Sequence, residues 1–105
     1  MKDSRAVPVL VPLLKDTEVN YIVPWSLGQI ADPSAIQPLI QTLSDPNPSM
    51  RVLAIYALWD LKATEALPRL RLLFGDKERS NFGKLESVAH AARNAVARLD
   101  PENHD

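Results

Sequence analysis

Ala35-Ile36-Gln37-Pro38-Leu39-Ile40-Gln41-Thr42-Leu43-Ser44-Asp45 is the middle copy of a pattern that the chain writes three times, and the copies decide the fold. Ala6-Val7-Pro8-Val9-Leu10-Val11-Pro12-Leu13-Leu14-Lys15-Asp16 precedes it, and Ala66-Leu67-Pro68-Arg69-Leu70-Arg71-Leu72-Leu73-Phe74-Gly75-Asp76 follows. Alanine opens each block; Leu10, Leu39 and Leu70 stand four residues on; Leu14, Leu43 and Phe74 stand four further; an aspartate closes each. A period of about thirty residues means stacked units that share their cores with neighbours, not one closed core.

Each closing aspartate leads through a polar link into a second apolar segment. Met50, Leu53, Ala54, Ala57, Leu58 and Leu61 step by three and four residues and so share one stripe of an α-helix. The same stripe recurs as Val19, Ile22, Val23, Ser26, Leu27 and Ile30, and as Val88, Ala91, Ala92, Ala95, Val96 and Leu99. The expected fold is therefore an all-α stack of three two-helix repeats, at about 4–31, 32–62 and 63–99, forming a single domain over 1–105 with a frayed tail at 100–105.

Local signals sharpen this division. Asp32-Pro33 reads as an N-cap followed by proline at the first helical position. Asp45-Pro46-Asn47-Pro48-Ser49 reads as a turn whose serine caps the next helix. Pro24 falls inside the second helix, where it predicts a kink or a restart, since a proline in a regular helix interior costs about 3 kcal/mol. Pro8, Pro38 and Pro68 bend the opening turns of the first helices. Gly28 suggests close helix approach and Gly75 a helix C-cap, while the third unit carries an insertion across 77–87.

Composition bounds the function. The 105 residues are 46% hydrophobic, enough for a core, and 12 basic residues against 13 acidic give a net charge of −1. That balance supplies no bulk attraction to phosphate backbones or anionic membranes, so nucleic acid is a disfavoured partner. Absent cysteine removes thiolate metal sites and thiol nucleophiles, and only two histidines, His90 and His104, remain. No metal, no cofactor and no catalytic residue is expected. The apolar run at 6–14 is too short to span a membrane and lacks a signal-like cleavage site. The expectation is a cytoplasmic protein.

The repeated pattern resembles that of the HEAT-like repeats, in particular the short subclass found in phycobilin lyases. Its most specific element is Asp45 followed six residues later by Arg51, since in that family the two types pair between neighbouring repeats as a structural ladder. Asn20 and Ala89 stand where the outer units would carry the arginine, so only the middle unit matches fully. The resemblance implies a right-handed α-solenoid with the second helices on its concave side. It also implies a binding role, with an accessory or chaperone subunit of a bilin-lyase system as an alternative. Trp59-Asp60 has a counterpart in the aromatic-plus-carboxylate sites of HEAT-like DNA glycosylases, but the chain is too short and too weakly basic for that activity.

Setting the core stripe aside exposes the candidate site. Val52, Ile55, Tyr56 and Trp59 cluster on the opposite face of the middle helix, and Tyr21 and Trp25 take matching positions in the first unit. Clustered exposed rings have the composition of a protein-binding hot spot. The competing reading packs them between adjacent second helices. The third unit puts His90, Arg93, Asn94 and Arg98 there, either as an anchor for an acidic partner or as the polar face of a terminal repeat. Phe82, inside the insertion, is a second candidate contact. The expected function is a non-catalytic scaffold or interaction module that binds a protein partner through Tyr21, Trp25, Val52, Ile55, Tyr56, Trp59, Phe82 and Arg93. The first helix, apolar nearly all round, suggests self-association.

Overall fold

The structure is a computed structural model and describes residues 4–15, 22–79 and 87–100. Among the described residues six α-helices follow one another: α1 (Val7–Leu10), α2 (Ile22–Ile30), α3 (Ile36–Thr42), α4 (Pro48–Asp60), α5 (Leu67–Leu72) and α6 (Val88–Leu99). They form three pairs, α1 with α2, α3 with α4 and α5 with α6, in an all-α solenoid. Among the described residues there is no strand; a lone antiparallel bridge joins Arg79 to Ser87 and closes the base of the insertion.

The opening alanines and the prolines explain the shape of the first helices. Each begins as a 3₁₀ turn, Ser4–Ala6, Pro33–Ala35 or Thr64–Ala66, that passes into the α-helix at the alanine. Pro8, Pro38 and Pro68 then fall within the first three α-helical residues, at the junction with the 3₁₀ turn. Pro24 is fully buried and is the third described residue of α2; the residues before Ile22, where an expected kink or restart would show, lie outside the described residues.

Caps follow the sequence in part. Asp32 accepts a hydrogen bond from the Ser34 amide at 2.9 Å, as expected of an N-cap. Asn47, not Ser49, caps α4, accepting from the Ser49 amide at 2.9 Å, because Pro48 takes the first helical position and Ser49 is itself buried. Ser87 caps α6 by accepting from the His90 amide. Gly75 ends a 3₁₀ turn rather than supplying a left-handed cap. That conformation falls instead on Ala31 (φ 59°) and Lys62 (φ 54°), one repeat apart. Around Lys62 the bonds Ala63 N to Leu58 O and Lys62 N to Trp59 O complete a Schellman motif.

The second helices form a row in which α4 packs between α2 and α6. The helices α2 and α4 approach closely at Gly28, where a Cβ would lie 3.2 Å from the Ala57 Cα and 3.2 Å from an Asp60 carboxylate oxygen. Glycine therefore lets α2 and α4 touch backbone to backbone. Leu27, Leu39, Leu43, Ile55, Leu58 and Leu70 are the largest fully sealed side chains and run through all three pairs, as expected of a core shared along a stack. The first helix buries Val7 and Leu14 but leaves Val9 68% exposed. Beside it, Val11, Pro12, Leu14, Pro38, Gln41 and Thr42 line an open hollow of about 540 Å³.

Candidate partner-binding face

Two features set the register of the second-helix row. Ala31 and Lys62 share the left-handed turn, which pairs Trp25 with Tyr56 and Gln29 with Asp60. The buried stripes of α4 and α6 then pair Tyr56 with Asn94 and Asp60 with Arg98. Trp25 is 56% exposed, the least covered aromatic side chain among the described residues. Tyr56 and Trp59 are half-buried, lean on the core, and lie with ring centroids 6.4 Å apart at 42°. This tilted contact holds both rings as one platform. Tyr21 and Phe82 lie outside the described residues, as do residues 101–105 of the expected tail.

Val52 and Ile55 do not belong to this face. They are 1% and 0% exposed, so the expected surface contact is corrected to core. The cause is their place in the stack. Pro24, which matches Ile55 on α2, is also sealed, whereas His90 and Arg93, which match Val52 and Ile55 on the last helix, are exposed. On α2 and α4 this flank is therefore covered by the following repeat, and among the described residues it is left uncovered on α6. Arg93 is turned back on its own repeat, donating from Nη2 to the Phe74 carbonyl at 3.1 Å and standing over the Phe74 ring at 5.8 Å.

Arg51 is buried and knits three segments together. Its Nη1 donates to the Asp45 carbonyl at 2.6 Å and its Nη2 to Glu78 Oε1 at 2.7 Å. Its Nε lies 3.0 Å from Asp76 Oδ2, an ionic contact outside hydrogen-bond alignment. Asp76 belongs to the following unit, so the arginine pairs across repeats while the Asp45 side chain turns to its own link, accepting from the Asn47 amide at 2.8 Å. The Asp76 and Glu78 carbonyls in turn accept from Ala89 and Val88 at the start of α6. Asp100, expected to fray, is held by an ion pair with Arg71 and by its amide bond to the Val96 carbonyl.

Beside the aromatic row runs a polar row that the sequence reading did not separate out: Gln29, Asp60 and Arg98, all exposed. Their common register was visible only once the repeats were aligned at their turns. Among the described residues no group of three histidine or acidic side chains is placed to hold a metal ion, and no helix is long and apolar enough to cross a membrane.

A family model of HEAT repeats matches residues 7–82. No curated protein and no solved structure matches the chain.

Proposed function

The chain belongs to the HEAT-repeat family, and on that footing we propose that it is a non-catalytic interaction module whose partner protein docks on the open face of the second-helix row, over Trp25, Tyr56 and Trp59. The observation that carries this reading is Trp25, an indole left 56% exposed at the register where α4 presents Tyr56. A large rigid ring at the surface gains contact area on binding with little loss of rotamer freedom, which is why tryptophan and tyrosine dominate binding hot spots. Tyr56 and Trp59, already fixed by the core, add a preorganised floor at small entropic cost.

Affinity capture with the native chain and with Trp25→Ala tests the reading. Loss of a hot-spot ring weakens binding by about 2 kcal/mol or more, roughly thirty-fold, so the variant should lose the captured protein. Equal capture would refute the assignment. Exposed Val9 and the apolar first helix form a separate surface, and self-association through it is checked by light scattering over a concentration series.

A further inference from the structure

The polar row beside the rings carries charge information about the partner. Arg98 is exposed on the last turn of α6 and has no hydrogen-bond or ion-pair partner among the described residues. The other arginines are engaged: Arg51 with Asp76 and Glu78, Arg69 with Ser44, Arg71 with Asp100, Arg93 with Phe74, and Arg5 and Arg79 in contacts of their own. Asp100, the nearest acid in sequence, is taken by Arg71 and does not neutralise Arg98. At the matching place on α4 stands Asp60, a carboxylate with no partner among the described residues, and on α2 stands neutral Gln29. A ligand lying across the three helices therefore meets rings at the α2 and α4 end, a negative charge at the middle and a positive charge at the α6 end.

We propose that the occupant of this face is an extended peptide segment of the partner that carries a bulky apolar residue and, about three to six residues away, a carboxylate that pairs with Arg98. The inference rests on the docking reading above and adds the partner's chemistry and direction. Packed helix axes lie about 8–10 Å apart, and an extended chain advances about 3.3 Å per residue. One helix spacing, from the Tyr56 and Trp59 platform to α6, is then about three residues, and two spacings, from Trp25, about six. Asp60 repels an acid placed over the middle of the row and so fixes it at the α6 end. A guanidinium suits this contact because it offers a planar, bidentate fork to a carboxylate.

A displayed library of random twelve-residue peptides, selected on the native chain and on Arg98→Glu, provides the test. Arg98 makes no hydrogen bond or ion pair among the described residues and is exposed, so the variant should melt as the native chain does, which thermal unfolding confirms before selection. Peptides enriched on the native chain should share a bulky apolar residue with Asp or Glu three to six positions from it. On Arg98→Glu the acid should give way to Lys or Arg at the same spacing. Apolar peptides with no acidic preference, or an acidic preference unchanged in Arg98→Glu, overturn this inference and leave the aromatic docking face standing. No enrichment of any peptide overturns both.

Discussion

Replacing Arg51 by alanine removes the buried side chain that ties the middle repeat to the third through Asp76 and Glu78. The guanidinium is 8% exposed, and its carboxylate partners differ sharply: Asp76 is 18% exposed and Glu78 63%. Truncation leaves the Asp45 carbonyl short of a donor and the Asp76 carboxylate without its counter-charge in a poorly solvated place, whereas Glu78 rehydrates. Removing one member of a buried ion pair costs about 3–5 kcal/mol, and a surface pair contributes about 1 kcal/mol or less. Because Asp76 keeps some contact with water, the lower end applies, about 3 kcal/mol for Arg51→Ala. In a domain of this size that corresponds to a fall in Tm of roughly 15 °C. Glu78→Gln should cost about 1 kcal/mol or less. Urea titration with thermal unfolding reads both variants, and the pair Arg51→Met with Asp76→Leu should recover only part of the loss, since Asp76 Oδ1 also accepts from the Glu78 amide at 3.1 Å. An Arg51→Ala loss under about 1 kcal/mol, or a Glu78→Gln loss equal to it, would refute the inter-repeat latch.

Lys62→Gly should raise stability by about 1 kcal/mol in thermal unfolding, because the residue occupies a left-handed turn at φ 54° that glycine adopts without strain. Gly28→Val should lower stability by about 2 kcal/mol, since even its Cβ would press to 3.2 Å on the α4 backbone and the branched carbons reach further. Ile55→Ala should cost about 2–5 kcal/mol as a core truncation, while Trp25→Ala should cost about 1 kcal/mol or less; urea midpoints separate the two, and an order reversed from this would put the indole in the core.

The stack was legible because its determinants are local and repeated. Helical spacing at Met50, Leu53, Ala54 and Ala57, the Asp32-Pro33 cap and the tight fit at Gly28 each state their structure within a few residues. Val52 and Ile55 were misplaced because a single helix was given one buried face, whereas a helix inside a solenoid is covered by its own partner and by both neighbours. The signal was present in the comparison of repeats: the flank that reads Val52 and Ile55 in the middle unit becomes exposed His90 and Arg93 in the third. Asn47 displaced Ser49 as the cap because Pro48 prefers the first helical position, a competition that residue preferences alone do not rank. The left-handed turns fell on Ala31 and Lys62 although glycine was available elsewhere, since the turn is fixed by the register of the packed helices. The partner of Arg51 lay in the next repeat, at Asp76, a separation that no local pattern reports.

Site-specific photo-crosslinking tests the docking face most directly. A benzophenone amino acid placed at Trp25 samples the open face of the second helices, and the same group placed at Leu72, 75% exposed on α5 in the first-helix row, serves as the opposing position. Illumination in the source cell should give a covalent adduct with another protein from position 25 and none from position 72. Adducts from position 72 alone, or from neither position, would contradict the account.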